Sequence, residues 1–130
     1  MHTSALQSQE DVVRLRQQVR QFAAAQGLSL VEQTKLITAA SELARNTVLY
    51  GGGGHAHLSL LQRNGRVGLR LLFEDQGPGI ADLALALTDG YTTGGGLGLG
   101  LSGSRRLSDE FEIDSAPGRG TRVTIVKWKR

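Results

Sequence analysis

Glycine is concentrated in two clusters within residues 75–101, and this is the part of the sequence that most clearly suggests a ligand. The clusters are Gly77 and Gly79, then Gly94, Gly95, Gly96, Gly98 and Gly100. Glycine costs conformational entropy on folding, so a folded protein retains it where the backbone needs a positive φ or lies directly against a ligand. Consecutive N–H groups at a glycine-rich turn that opens a helix form a cradle for an anion. A flexible linker is the alternative, but Leu97, Leu99 and Leu101 interleave these glycines, which favours a phosphate-binding loop.

A second pair of residues has the spacing of a metal site. Glu42 and Asn46 are four residues apart in a helical segment, so both project from one face of the helix. A carboxylate and an amide oxygen suit Mg²⁺, and Glu42 could also act as a general base toward a hydroxyl group. For an isolated pair, the preferred explanation is an ordinary surface glutamate and an ordinary asparagine within a helix. Arg45 could reach a phosphate or form a surface salt bridge.

Strand periodicity directs two polar side chains toward the interior. Val67, Leu69, Leu71 and Phe73 alternate along one strand, and Asp75 follows in the same phase. A carboxylate that points inward needs a partner. In the last strand, Thr121 is in phase with Val123 and Ile125, so its hydroxyl group is also predicted to face the core.

The elements that position these residues follow from helical and strand patterns. We predict helices over residues 11–25, 29–50 and 97–107, with a short helix over 81–88. Ser29 followed by Glu32 is a capping box at the start of the second helix. Asn64-Gly65 predicts a hairpin between strands 55–63 and 66–75, and further strands are expected over 111–114 and 121–128. Residues 89–96 are expected to be a loop, and residues 127–130 a solvated strand end.

Four strands mixed with three long helices predict an α+β fold. We expect a two-layer α/β sandwich in which three helices cover a mostly antiparallel sheet, formed by residues 1–130 as a single domain.

Composition narrows the functional classes. The chain has no cysteine, no signal-like start and no apolar run near the ~20 residues of a membrane helix, so we expect a soluble, cytosolic protein with no membrane partner. The net charge of +3 suits anionic ligands in general, but no nucleic-acid-binding motif accompanies it. His55 and His57 share a strand face without a third metal ligand nearby, and we interpret them as exposed strand residues.

Two familiar nucleotide motifs are excluded. Residues 98–103 satisfy the glycine spacing of a dinucleotide fingerprint, but no strand precedes them and no acidic residue lies about 20 positions further on. No Gly-Lys-Ser/Thr follows a glycine run, which excludes a P-loop.

Four motifs together resemble the GHKL superfamily, which includes gyrase, Hsp90, histidine kinases and MutL. The stretches are ELARN from Glu42, DQGPGI from Asp75, GGGLGLGL from Gly94, and Gly120-Thr121, and they resemble the N, G1, G2 and terminal boxes in order and spacing. Within that superfamily, residues 89–113 are most similar to the RsbT-type switch serine/threonine kinases.

The resemblance implies a Bergerat ATP-binding fold with a nucleotide pocket between helices and sheet. Asp75 would accept the adenine amino group, directly and through water shared with Thr121, and Gly79 would let the backbone approach the base. Asn46 would hold Mg²⁺, Glu42 would be the base or a metal-orienting carboxylate, and Gly96, Gly98 and Gly100 would wrap the phosphates as a movable lid. The other candidate nucleotide contacts are Gly77, Ile80, Gly94, Gly95, Leu97, Leu99 and Leu101.

The resemblance also implies partners. The substrate would be a serine or threonine on a STAS-domain antagonist, and a PP2C-type phosphatase would be engaged once phosphorylation releases the kinase. The alternative is a nucleotide-binding module that sequesters its partner, like an anti-sigma factor. A sensor histidine kinase is disfavoured because the chain has no room for long dimerisation helices.

Overall fold

The structure is a computed structural model that describes residues 1–87 and 100–130 and, for residues 92, 93, 97 and 98, the backbone alone. The described helices are α1 (Gln9–Ala25), α2 (Leu30–Leu49), α3 (Leu83–Ala86) and α4 (Leu101–Leu107). The described strands are β1 (His2–Leu6), β2 (Gly54–Arg63), β3 (Arg66–Asp75), β4 (Thr92–Thr93), β5 (Leu97–Gly98), β6 (Glu110–Ser115) and β7 (Thr121–Trp128).

The main sheet has five strands in the order β1-β2-β3-β7-β6, and every neighbouring pair is antiparallel. Helices α1 and α2 pack against each other and contact the sheet, and α4 packs against α2. The predicted α+β sandwich is therefore confirmed. The sheet has one strand more than predicted, because β1 pairs along the edge of β2 although its sequence, HTSAL, has little apolar content.

The hydrophobic core lies between the inner face of the sheet and one face of each long helix. Leu69, Leu71 and Phe73 of β3 are buried, as the alternation predicts, and they share a cluster with Leu36 and Leu43 of α2. Strand periodicity therefore places the inner face of β3 correctly.

Serine caps begin both long helices. The Ser8 hydroxyl accepts a hydrogen bond from Asp11 N at 3.4 Å, and the Ser29 hydroxyl accepts one from Glu32 N at 3.2 Å. Only this half of the predicted capping box is observed. The carboxylate of Glu32 lies instead 2.7 Å from Nζ of Lys127, at the far end of β7.

Helix α4, the third of the predicted long helices, is shorter than predicted. It was expected over residues 97–107 but begins at Leu101, while Leu97 and Gly98 pair with β4 in a small second sheet. Gly100 has φ +66°, a left-handed conformation that an α-helix does not accommodate, so α4 starts after it. The predicted short helix over 81–88 is also shorter, spanning Leu83–Ala86.

The end of β7 is buried, which contradicts the prediction of a solvated strand end. Lys127 is 3% exposed and Trp128 is 7% exposed. The Trp128 ring packs against Gly68, where a Cβ would lie 2.6 Å from the ring, and Arg63 stacks over the indole at 4.9 Å. Only Lys129 and Arg130 remain exposed.

Among the residues that the structure describes, no helix combines the length and apolar character needed to cross a bilayer.

Candidate nucleotide site

A cavity of about 330 Å³ opens between α2, the ends of β3 and β7, and the loop over residues 76–82. Its floor is apolar and includes Leu43, Phe73 and Val123. The predicted site residues on its wall are Asn46, Asp75, Gly79, Ile80, Leu101 and Thr121. The fold thus brings together residues that span 75 positions of the sequence, from 46 to 121.

Asp75 is the charged group at the centre of this wall. It ends β3 and pairs with Thr121, the first residue of β7. Its carboxylate accepts a hydrogen bond from Gly77 N at 2.9 Å and another from the backbone N–H of Thr121. No lysine, arginine or histidine in the described part of the chain forms an ion pair with it.

Burial raises the pKa of Asp75 above its ordinary value, and the two backbone hydrogen bonds only partly oppose the shift. The site therefore holds a half-buried acceptor that gains from a ligand able to donate hydrogen bonds.

Close backbone packing explains the first glycine cluster. Gly79 has φ +76°, and a Cβ there would lie 2.0 Å from the carbonyl oxygen of Ala116. Gly77 does not line the cavity. A Cβ at Gly77 would lie 2.8 Å from Gly51 Cα, so this glycine serves the packing of two loops while its N–H holds Asp75.

Several residues at the site were not predicted from sequence, and Tyr50, Gly51 and Ser115 are the most informative of them. Tyr50 and Gly51, at the end of α2, line the cavity, and a Cβ at Gly51 would lie 2.4 Å from the Asp75 carboxyl carbon. Ser115 accepts a hydrogen bond from Ile80 N at 2.8 Å and so fastens the loop to the sheet. The alternation of the strand could have predicted Ser115, because Ser115 follows Phe111 and Ile113 on the same, inward-facing side of β6.

Glu42 lies beside the cavity, outside its lining residues. Its carboxylate forms an ion pair with the Arg45 guanidinium group, so Arg45 forms the salt bridge that was one of its two predicted roles. A Cβ at Gly100 would lie 2.6 Å from Glu42 Oε2, so Glu42 contacts the start of α4, where the glycine-rich segment ends. Glu42 and Arg45 also line a separate groove between α1 and α2.

Part of the second glycine cluster falls outside the described residues, namely Gly94, Gly95, Gly96 and Leu99. Leu97 and Gly98 form β5, Gly100 precedes α4, and Leu101 is buried against the cavity.

The donor chemistry near the cavity fits Mg²⁺ held largely by a ligand. Asn46 presents an amide group on the wall. Across the described ranges, no group of three or more His, Cys, Asp or Glu side chains could hold a metal ion. Mg²⁺ bound to phosphates commonly takes one or two protein ligands and keeps several waters, so a single amide oxygen is compatible with it.

Comparison with known proteins agrees with the geometry. Residues 31–130 match the family described as histidine kinase-, DNA gyrase B-, and HSP90-like ATPase. The chain is 45% identical over 120 residues to the serine/threonine-protein kinase RsbT of Bacillus subtilis, covering 92% of this chain and 90% of the relative. It is 30% identical over 131 residues to an anti-sigma F factor of Bacillus licheniformis, covering 95% of this chain and 87% of the relative.

A solved structure shares the fold. The catalytic domain of the histidine kinase ThkA superposes with a TM-score of 0.54 at 14% identity and covers 99% of both chains.

Proposed function

This chain belongs to the family of histidine kinase-, DNA gyrase B- and HSP90-like ATPases, and we propose that residues 1–130 form one Mg-ATP-dependent protein serine/threonine kinase domain that acts as a partner switch. The observation that carries the proposal is the cavity wall. It combines a half-buried carboxylate that has no cationic partner within residues 1–87 and 100–130, an asparagine on the facing helix and a loop that reaches the pocket through glycine.

The adenine end of the pocket is formed by Asp75 and Thr121. A carboxylate that is desolvated and lacks a cation favours a ligand with an N–H donor, such as the exocyclic amino group of adenine. Gly79 and Ile80 form the adjoining wall, and Phe73 and Val123 supply an apolar floor for a flat base.

The phosphate end lies toward Asn46 and the start of α4. Asn46 would hold Mg²⁺, which when bound neutralises phosphate charge. The glycines between residues 94 and 100 would supply N–H donors to the phosphates. Phosphoryl transfer depends mostly on positioning and electrostatics, so few protein groups need to enter the chemistry.

Glu42 is the proposed general base. It lies one helical turn from Asn46 on α2, with its carboxylate held between Arg45 and Gly100. From there it would receive the proton of an incoming serine or threonine hydroxyl group. Glu42 does not line the cavity, so we assign the contacts with the nucleotide to other residues.

The proposed protein substrate is a STAS-domain antagonist phosphorylated on serine or threonine, with a PP2C-type phosphatase as the output partner in bacterial stress signalling, in the cytoplasm. Support for the kinase role comes from the name and the 45% identity of RsbT.

The direct test is transfer of label from γ-labelled ATP to a STAS-domain protein. We expect label on Ser or Thr with the wild-type chain and none with Asp75→Asn. Asp114→Asn, an exposed carboxylate on β6, is the matched control and should retain transfer. Transfer that survives Asp75→Asn would contradict the pocket assignment.

A nucleotide-binding module that sequesters a sigma factor is the second candidate, favoured by the relatives named anti-sigma F factor. Mass spectrometry of proteins captured with this chain, with and without ATP, separates the two. Capture of STAS-domain proteins supports the switch kinase, and capture of a sigma factor supports sequestration.

A further inference from the structure

Ser115 occupies the third position of a polar row across the end of the sheet. Asp75 pairs with Thr121 between β3 and β7, and Thr121 pairs with Ser115 between β7 and β6. The Ser115 oxygen lies 2.8 Å from Ile80 N, 2.9 Å from the carbonyl oxygen of Gly120 and 2.8 Å from Thr121 Oγ1.

Counting protons fixes the direction of all three contacts. A serine hydroxyl group has one proton to donate and two lone pairs to accept with. The Gly120 carbonyl can only accept, so Ser115 donates its proton there. The Ile80 N–H can only donate, so it occupies one Ser115 lone pair. The remaining lone pair faces Thr121, whose hydroxyl group must then be the donor.

The proton of Thr121 is therefore directed away from the cavity. Thr121 lines the pocket beside Asp75, and its oxygen can offer only lone pairs to a ligand. An ionised Asp75 likewise only accepts. The side chains of Asp75 and Thr121 therefore accept hydrogen bonds and donate none into the cavity, so this pair favours a base edge with an amino group over one with a carbonyl oxygen.

We propose that Ser115 is a specificity-determining positioning residue, which holds the Thr121 hydroxyl group as an acceptor and so makes the pocket select adenine over 6-oxopurines. The proposal rests on the proposed nucleotide function and deepens it. Ser115 does not touch the nucleotide; it acts through Thr121.

The experiment compares the dissociation constants of Mg-ATP and Mg-ITP, because inosine replaces the 6-amino group with an oxo group. The wild-type chain should prefer ATP. In Ser115→Ala the Thr121 hydroxyl group is free to rotate and donate to the oxo group, so the preference should fall about fivefold, the equivalent of one net hydrogen bond. Ser115→Thr keeps the hydroxyl group on a strand position and should restore the preference.

Two controls separate selectivity from structure. Ser108→Ala removes another hydroxyl group, bonded to Ser104 O at 2.7 Å and away from the pocket, and should leave the preference unchanged. In a Thr121→Val background the hydroxyl group is absent, so adding Ser115→Ala should change the ATP:ITP ratio no further.

Equal weakening of both nucleotides by Ser115→Ala would mean that Ser115 only fastens the loop, and would overturn the proposal. A wild-type chain that binds both nucleotides equally would overturn it while leaving nucleotide binding intact. A wild-type chain that binds neither would refute the proposed function, and this inference with it.

Discussion

The two ends of the β3–β7 strand pair differ in whether a buried or half-buried charged side chain forms ion pairs. At one end, Asp75 is half-buried and forms no ion pair with any residue that the structure describes. At the other, Nζ of the buried Lys127 lies 2.7 Å from the Glu32 carboxylate and 3.5 Å from that of Asp109. Asp109 also accepts a hydrogen bond from Trp128 N at 2.6 Å and pairs with Arg130.

This difference separates a charge that is paired within the protein from one that we propose binds a ligand. The charges of Lys127, Glu32, Asp109 and Arg130 are paired within the chain, and breaking these ion pairs leaves a buried charge without its partner. Among the described residues, backbone N–H groups alone hold the Asp75 carboxylate, so a ligand that donates a hydrogen bond to it would offset the cost of its burial. The same strands thus carry a paired ion network at one end and the proposed nucleotide site at the other.

The largest difference between the two ends should appear when an aspartate is replaced by asparagine at each of them. Asp75→Asn should weaken Mg-ATP binding more than about 100-fold, because an amide presents an N–H where the adenine amino group needs an acceptor. The free energy of unfolding should stay level or rise, since a desolvated charge is removed. Calorimetric titration and urea denaturation measure the two quantities.

Asp109→Asn is the matched variant. It should lower stability by about 2 kcal/mol through loss of its ion pairs and leave the Mg-ATP affinity unchanged. Loss of nucleotide binding in Asp109→Asn would show that the two ends are not separate.

A second matched pair lies on α2. Glu42→Gln should lower the turnover of phosphoryl transfer about 100-fold with little change in ATP affinity, as expected for a lost general base. Glu32→Gln, at the other end of the helix, should lower stability and spare turnover. Glu42 would be reassigned to the nucleotide site's structure if its substitution weakened ATP binding more than it slowed transfer.

Removing the cation tests the structural end alone. Lys127→Met keeps the length of the side chain but leaves Glu32 and Asp109 without their buried partner, so the free energy of unfolding should fall by about 3 kcal/mol. Lys129→Met, at the exposed neighbouring position, should change it little. If Lys127→Met and Lys129→Met have the same denaturation midpoint, the ion network does not stabilise the fold as we propose.

The smallest effect is a titration difference. Burial raises the pKa of Asp75, whereas the Gln7 N–H holds the pKa of Asp11 below its ordinary value, so Asp75 should take up its proton at the higher pH as the solution is acidified. Side-chain carboxyl ¹³C shifts followed against pH measure both midpoints. Mg-ATP should lower the Asp75 midpoint, because a donor from the base favours the ionised form. The idea fails if Asp75 titrates below Asp11.

The raised pKa of Asp75 also fixes how this residue changes the free energy of unfolding with pH. A carboxyl group with a raised pKa binds its proton more tightly in the folded state, so Asp75 disfavours folding at pH values above its folded pKa. Acidification through that pKa relieves the cost. Glu74 behaves in the opposite way, because its hydrogen bond with His57 lowers its pKa, and its stabilising contribution is lost as the pH falls through that lowered pKa.

Local periodicity correctly predicted the direction of the side chains at the cavity end of the strand pair. The inward direction of Asp75 and Thr121 follows from alternation within single strands, and the structure places both on one cavity wall. Ser115 obeyed the same rule and was overlooked. The roles assigned to Glu42, Asn46 and the glycine-rich segment remain predictions.

The structural end was mispredicted because it depends on distant contacts. Nothing near Lys127 in sequence indicates that Glu32, at the start of α2, lies against it, and so the tail was interpreted as solvated. Strand β1 was missed for a related reason. It pairs with β2, makes contacts such as Thr3 Oγ1 with His57 Nδ1 at 2.9 Å and buries Leu6 in the core, but one buried leucine in five residues gives no periodic pattern to predict a strand from.

One NMR titration with Mg-ATP tests both ends of the strand pair at once. The backbone amides of Gly77 and Thr121 report on the Asp75 carboxylate, and the indole N–H of Trp128, the one tryptophan in the sequence, reports on the far end through its 2.7 Å bond to Glu110. We predict saturable shifts of both amides and a stationary indole signal. Amide signals that stay in place, or an indole signal that shifts together with them, would contradict the account.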